Sequence, residues 1–305
     1  MERTIALLDA IPYLRAYSGQ IFVVKAGGEI FADARWRESI TREIATMHRL
    51  GIRVVLVHGG GPQLDAAAAK AGVGSEMVAG RRITTPELLD LAVSEWRGRL
   101  SAALVRGLAA AGERGVGLSG ADGGLFRAKR RPPVEIQDDA GVTRWVDYGL
   151  VGDVVEVRVD VLKAVLNLPA VPVITPMGAG DAGEILNVNA DTVAAEIAVA
   201  LGAAKLLLLT RAPGILEDPT DPASVLHWTD LEELGDLEKK GAIRGGMRPK
   251  VAAIRKALSG GVPRVHVVDG RKAGALLEEV FTTEGSGTLV VKEADDAPPE
   301  PLESR

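Results

Sequence analysis

Residues Ile21 to Asp65 read IFVVKAGGEIFADARWRESITREIATMHRLGIRVVLVHGGGPQLD, and the fold class follows from this stretch. Twice in succession a short Val/Ile/Leu run, Ile21–Val24 and then Arg53–Val57, ends in a glycine-rich turn. Each turn leads on to residues with apolar side chains at three- and four-residue spacing, Trp36–Leu50 and Pro62–Ala71. Strand, glycine turn and helix in that order predict a mostly parallel sheet with helices on both faces, a three-layer α/β/α sandwich. Working outward, Val171–Thr175, Lys205–Leu209 and Arg264–Val268 read as further strands. Pro86–Ala111, Ala190–Leu201, Leu231–Lys240 and Pro249–Leu258 read as further helices. The segment from Leu125 to Val157 breaks the alternation; its VEIQDDAGVTRWV predicts β-hairpins appended to the sheet. Ahead of the first strand, Ile5, Leu8, Ile11 and Leu14 mark one face of a short helix outside the core. The tail EADDAPPEPLESR is charged and proline-rich, and is expected to be disordered.

At 305 residues the chain is long enough for one large α/β core or two ordinary lobes, and two lobes are expected. It has no cysteine, which excludes disulfides, thiolate zinc sites and a cysteine nucleophile, and fits the reducing cytoplasm. The formal net charge is -5 and the lysines and arginines are scattered, so neither a nucleic-acid track nor a polybasic membrane patch is expected. A small-molecule substrate is favoured. The amino-terminal stretch is broken by Asp9, Pro12 and Arg15 and is too charged for a signal peptide. The longest uncharged run, from Ala164 to Gly180, contains Pro169, Pro172 and Pro176 and cannot be a membrane-spanning helix. With 36 glycines, tight strand-to-helix turns lined by backbone are favoured, as in nucleotide-binding α/β proteins.

Four motifs carry chemistry. KAGGE, Lys25 to Glu29, follows the first strand, and its glycines let backbone N–H groups approach a ligand. Alone it is also an ordinary glycine turn with a surface lysine. HGGGPQLD sets three glycines, Gly59 to Gly61, before a helix that opens on Pro62, and a helix start behind glycines is a ready anion site. LNVNAD places Asn187 and Asp191 four apart at the mouth of a helix, where Asn189 or Asp191 could equally serve as a cap. GGMRPK starts a helix whose first turn carries Lys250. None of these has the GxxxxGK[ST] spacing of a Walker-type ATPase.

In this order, together with VVLVHGGGPQLD, GVGLSGADGGLFRAK, VDYGLVGDVVEV, ILNVNADTVAAEIAVALGA, GGMRPKV and FTTEGSGTLV, the motifs resemble the amino-acid kinase family, and within it the N-acetylglutamate kinases. The resemblance covers nearly the whole chain, from about Ala6 to Val291. It implies phosphoryl transfer from ATP, with Mg2+, to the side-chain carboxylate of N-acetyl-L-glutamate, in arginine biosynthesis. It also implies a division into an arm over residues 1–18, an acceptor and dimerisation lobe over 19–200, a nucleotide lobe over 201–292 and a tail over 293–305. In these terms Lys25 and Lys250 flank the transferring group and Asp191 holds them. Gly28, Gly60 and Gly61 donate N–H groups, with Gly27 and Gly59 in the same phosphate cradle and Gly60 and Gly61 reaching the substrate. Arg82 binds the α-carboxylate and Asn187 the α-substituents, and no residue of the chain is expected to ligate a metal. The chemistry agrees: a carboxylate with a pKa of about 4 is ionised at neutral pH, so the transfer needs positive charge and N–H donors rather than a general base.

Three positions depart from the family pattern: Ala26, Ala121 and Arg211, the last where an aspartate is usual. Arg211 either alters ATP affinity or pairs with Glu217 or Asp218. Two rival readings are a carrier-protein-linked aminoadipate kinase, disfavoured by HGGGP and NVNAD, and a non-catalytic arginine sensor, disfavoured by the retention of Lys25, Asp191 and Lys250. The arm with LLDAIPYL and the stretch RVHVVDGRKAGALLEEVFTTEGSGTL resemble the arginine-sensitive branch. That implies L-arginine as inhibitor at Tyr13, His266, Glu279, Gly285 and Gly287, with core dimers joined through the arm into a hexamer. A nitrogen-signalling partner of the PII type is compatible with the resemblance, and no motif reports on it.

Overall fold

The computed structural model describes residues 2–78, 81–137 and 143–296. Its centre is an eight-stranded sheet in the order Trp228–Thr229, Thr288–Val290, Val265–Asp269, Lys205–Thr210, Ile21–Ala26, Arg53–His58, Ala170–Thr175, Arg114–Ser119. The pairing is parallel except between Val265–Asp269 and Thr288–Val290. Residues 19–200 contribute four adjoining strands and residues 201–292 the other four, joined where Ile21–Ala26 pairs with Lys205–Thr210.

The central strands are apolar along most of their length because both faces are covered. Phe22, Val24, Val54 and Leu56 pack with Ile44, Met47, Leu104 and Leu276 on one face. Val23, Val55, Val57, Leu206 and Leu208 pack with Ala194, Ile197, Ile254 and Leu258 on the other. The expected three layers are therefore present. Helices Ala34–Arg49, Ser101–Ala110 and Ala275–Phe281 supply one face, and Ala190–Leu201 and Met247–Ser259 the other.

Several elements differ from expectation. Pro86–Ala111 is one helical rod in three parts: an α-helix over Pro86–Ala92, a π-helical turn over Val93–Leu100 and an α-helix over Ser101–Ala110. The edge strand Arg114–Ser119 was not anticipated, because RGVGLS holds two glycines where a strand normally has bulk. Their smallness is what lets the helix lie close, since a Cβ on Gly115 would come within 3.1 Å of the Val105 backbone and one on Gly117 within 2.7 Å of Ser101 Oγ. Asp160–Leu166 and Ala275–Phe281, seven residues each, were too short to stand out by periodicity.

The expected antiparallel pairs exist, but in sheets of their own rather than appended to the central one, which is bounded on that side by Arg114–Ser119. Phe126–Arg130 and Gly152–Val157 join Met177–Ala179 and Ile185–Asn187 in a second sheet of four strands, and Val134–Gln137 pairs with Thr143–Val146. Residues 138–142, between that last pair in the chain, lie outside the described residues. The arm is a helix over Glu2–Tyr17 whose Tyr17 ring meets Phe22 edge-on at 5.2 Å. Of the tail, Ala294–Asp296 forms one 3-10 turn; the disorder expected beyond it falls on residues outside the described ones. Among the described residues no helix is long and apolar enough to cross a membrane.

Candidate active site

Lys25 sits near the C-terminal end of a central strand, between Val57 and Leu208 of its neighbours. On the same face as Val23, it meets the start of helix Ala190–Leu201, where its Nζ lies 2.8 Å from Asp191 Oδ1 with both side chains almost fully buried. Helix Met247–Ser259 brings Lys250 to the same place in its first turn. That ammonium is also buried and donates to Gly246 O at 3.2 Å. Burial pushes the Asp191 carboxyl up, but the charges of Lys25 and Lys250 override it and hold the pKa below the ordinary value. Burial lowers the Lys250 pKa, with Asp191 opposing and Lys25 adding to the shift. The ambiguity over which residue of LNVNAD caps the helix is resolved: Asn189 Oδ1 accepts from Thr192 N at 3.0 Å, which leaves Asp191 free to hold the lysines.

The two glycine turns press against each other beside this cluster. A Cβ on Gly28 would lie 2.7 Å from Gly60 Cα and 2.8 Å from Gly61 N, and one on Gly59 would lie 3.3 Å from Gly28 N. Gly59 N donates to Ala26 O at 2.8 Å, tying the second turn to the end of the first strand. Among the described residues the N–H groups of Gly28, Gly60 and Gly61 have no protein acceptor. The carbonyls behind them are held by side chains: Gln63 Nε2 donates to Gly28 O at 2.8 Å and Trp96 Nε1 to Gly60 O at 2.6 Å. Three donors aimed at no protein group form an anion cradle. Gly27 opens this turn in extended conformation, and Glu29 behind it is close enough to raise the Lys250 pKa. His58, which ends the second strand, is fully buried and neutral. Burial takes its pKa down to about 4, and its Nε2 meets Thr175 Oγ1 at 3.0 Å.

Arg82 borders the cradle. Its Nη2 would lie 3.9 Å from a Cβ on Gly61, while Nη1 donates to Asp65 and to Ser75 Oγ. Asn187 Nδ2 donates to Thr84 Oγ1 at 3.1 Å, which fastens the Asn187 strand to the segment that carries Arg82. Gln63, Thr84 and Trp96 were not singled out from the sequence. Each sits within a helical or turn pattern that packing alone explains, and only their side-chain partners reveal a role. Arg211 is exposed and, among the described residues, pairs with neither Glu217 nor Asp218. The local pairing weighed from the sequence is absent because Asp218 turns back onto Thr220 N and Oγ1, at 2.8 and 2.7 Å.

The five residues Tyr13, His266, Glu279, Gly285 and Gly287 lie apart from this site and line one cavity of about 360 Å³ under the arm. Tyr13 meets Thr283 Oγ1 at 3.0 Å. Lys205 Nζ donates to His266 Nε2 at 3.0 Å, and His266 Nδ1 donates to Glu279 Oε1 at 2.6 Å. Glu279 Oε2 accepts from Ser286 N at 2.6 Å and Gly287 N at 2.8 Å. Burial and the Lys205 charge take His266 down to about 4, so the histidine is neutral and Glu279 ionised. Lys205 is lowered to about 8, chiefly by burial. Gly285 and Gly287 have a protein reason to be glycine: a Cβ would come within 2.8 Å of Glu279 Oε2 and 2.1 Å of Val267 O.

Two buried ammonium groups acting on one carboxylate, with N–H groups that lack a protein acceptor among the described residues and a half-occupied guanidinium beside them, can stabilise an anion that carries charge on several oxygens. A family model described as the amino acid kinase family matches residues 20–269. The acetylglutamate kinase of Myxococcus xanthus is 47% identical over 295 residues, 96% of each chain. Among solved structures, the N-acetylglutamate synthase of Neisseria gonorrhoeae complexed with coenzyme A and N-acetyl-glutamate has a TM-score of 0.81 at 26% identity over 95% of this chain. The same synthase complexed with coenzyme A and L-arginine has a TM-score of 0.77 at 25% identity, also over 95% of this chain. This chain spans 64% and 66% of those two longer chains. With the family model covering most of its length and a near full-length relative at this identity, the chain belongs to the amino acid kinase family, in the branch of the acetylglutamate kinases.

Proposed function

We propose that the chain transfers the γ-phosphoryl group of ATP to the side-chain carboxylate of N-acetyl-L-glutamate, giving N-acetyl-L-glutamyl 5-phosphate for arginine biosynthesis in the cytoplasm. The observation that carries this reading is the buried Lys25–Asp191–Lys250 cluster at the end of the strand that leads into the Gly28 turn, together with the N–H groups of Gly28, Gly60 and Gly61, which have no protein acceptor among the described residues. The attacking carboxylate is already ionised, so no residue has to remove a proton. Lys25 and Lys250 offset the charge that spreads over the equatorial oxygens, and Asp191 keeps both lysines charged and aimed. Gly27 and Gly59 complete the phosphate cradle, where the lack of a side chain lets the two turns pack against each other. Arg82 turns its free Nη2 toward the α-carboxylate of the acceptor, and Asn187 binds the neighbouring α-substituents. Magnesium bound with the nucleotide would supply the remaining charge neutralisation. Asp191 is already committed to Lys25, so the lining fits a metal held by phosphate oxygens. In this reading residues 19–200 bind the acceptor and residues 201–292 the nucleotide.

The test is an ATP-turnover assay on N-acetyl-L-glutamate in which the acyl phosphate is trapped with hydroxylamine as the hydroxamate. Transfer to a carrier-linked aminoadipate instead, or no transfer to any carboxylate, would overturn the assignment. Arg82→Lys keeps the charge and loses the planar fork, so calorimetry should show weaker acetylglutamate binding with ATP binding nearly unchanged. Equal loss for both ligands would give Arg82 a structural role.

We further infer that L-arginine is the ligand of the cavity under the arm and slows the enzyme by favouring an open conformation. Support comes from the Glu279 carboxylate and the apolar walls of Tyr13 and Tyr17, which suit a guanidinium on an aliphatic stem. The similar gonococcal synthase was solved with L-arginine. The assembly we propose is a core dimer, with dimers joined into a hexamer through the arm.

A further inference from the structure

The Gly59–Gly61 turn has no side chains, so its peptide planes take their orientation from outside. Glycine has the widest choice of backbone conformations, and a triglycine left to itself would present its N–H groups in many directions. One side chain restricts this choice. The Trp96 indole is 5% exposed, and its Nε1 donates to Gly60 O at 2.6 Å. The same carbonyl accepts from Leu64 N at 3.1 Å. The ring lies so close that a Cβ on Gly60 would fall 2.1 Å from Trp96 Cδ1. Because the peptide unit is planar and trans, pinning the Gly60 carbonyl toward Trp96 turns the Gly61 N–H the opposite way. That N–H has no protein acceptor among the described residues.

Trp96 belongs to the π-helical turn Val93–Leu100. An extra residue in a helical turn rotates the next turns of the helix by about 100° and is a recurrent feature of functional sites. Here it separates two packing duties. Leu88, Ala92 and Trp96 share the cluster beneath the glycine turn, with Leu64 and Ala68. Leu100, Leu104 and Leu108 then face the main core. The rod thus reaches the active-site turn with its first half and the sheet with its second.

We propose that Trp96 is a positioning residue for phosphoryl transfer: its indole N–H fixes the Gly60–Gly61 peptide so that the Gly61 N–H stands ready for the oxygens of the transferring group. This rests on the kinase reading above. The test replaces Trp96 with 3-benzothienylalanine, which keeps the shape of the ring and loses only the N–H, alongside Trp96→Phe. The donor remains but loses its aim, so kcat should fall about tenfold, less than the hundredfold or more typical when an oxyanion donor is removed. KM for ATP and for acetylglutamate should stay within about twofold. Affinity for ADP with aluminium fluoride and acetylglutamate should fall by the same factor as kcat, with acetylglutamate alone bound as before. A crystal structure of the benzothienyl protein should show the Gly60–Gly61 peptide flipped or in two orientations. Unchanged kcat, or an unchanged single peptide orientation, would overturn the proposal. Absence of acetylglutamate turnover by the unaltered protein would sink the proposed function alone, since the peptide orientation is read without turnover.

Discussion

Lys25 and Lys250 share one carboxylate unequally, and this has separable consequences for rate and stability. In the proposed transfer each offsets developing charge, so Lys25→Ala and Lys250→Ala should each lower kcat roughly a hundredfold, about 3 kcal/mol, with ATP affinity much less affected. Only Lys25 makes the close ion pair with Asp191, at 2.8 Å, inside the protein. Its loss leaves a buried carboxylate without its partner, at a cost of roughly 3–5 kcal/mol, so Lys25→Ala should also melt well below Lys250→Ala. Thermal unfolding of Lys25→Met with Asp191→Leu should recover most of that stability and none of the activity. Equal melting of the two single variants would contradict the assignment. Asn189 and Asp191 show what the residue scale hides in a sequence. Both are good caps, and only the approach of the strand carrying Lys25 shows which one caps and which one pairs.

Helix Ala275–Phe281 has seven residues, too few to be stable alone. It is held by another element: Glu43, buried on helix Ala34–Arg49, accepts from Gly274 N at 3.1 Å and Leu276 N at 3.0 Å, a carboxylate at a helix start. Glu43→Ala leaves those buried donors unsatisfied and should cost about 2–3 kcal/mol in a urea titration. Because this helix carries Glu279, the same variant should weaken any arginine inhibition while leaving kcat near normal. Unchanged stability would show the contact to be incidental. The periodicity that made Pro86–Ala111 a single helix was sound as far as it reached. A π-helical turn keeps apolar residues close to helical spacing, so the pattern does not report it.

At the scale of the molecule, two histidines set the acid limit. His58 and His266 are buried and neutral, with pKa values of about 4 each. The unfolded chain takes up protons near pH 6.5 and the folded one does not, so stability falls as pH drops from 6.5 toward 4. The slope is roughly 1.4 kcal/mol per pH unit for each histidine. Asp191 and Glu279 are held below their ordinary values, so their contribution is lost only at lower pH. The urea midpoint should therefore drop steadily from about pH 6.5 to about pH 4.5, and a flat profile would contradict the burial of these rings. The arm governs a second property. Its Tyr13 and Tyr17 close the cavity that holds Glu279, so deleting residues 1–18 should convert the proposed hexamer to dimers by light scattering and abolish inhibition by arginine. An intact protein that runs as a dimer, with a rate unaffected by saturating arginine, would refute that reading.

The sequence by itself determined the layered α/β architecture and the five long central strands. Runs such as Val54–Val57 and Leu206–Leu209 can be stable only with both faces covered, and a strand that ends in glycines before a helix leaves free N–H groups wherever it occurs. The resemblance named Lys25, Asp191, Lys250 and Arg82 because they stand in motifs. Tertiary structure alone decided what those residues face. Lys25 and Lys250 are separated by most of the chain, yet Lys25 pairs with Asp191 and the charge of Lys250 acts on the same carboxylate because their elements pack on one face of the sheet. The edge strand with Gly115 and Gly117 exists because a helix presses against it. Trp96 reaches Gly60 through a π turn that no spacing rule marks. Local propensity acts over a few residues, whereas a contact between distant segments depends on the packing of every layer between them, and so it can be read only once the chain has folded.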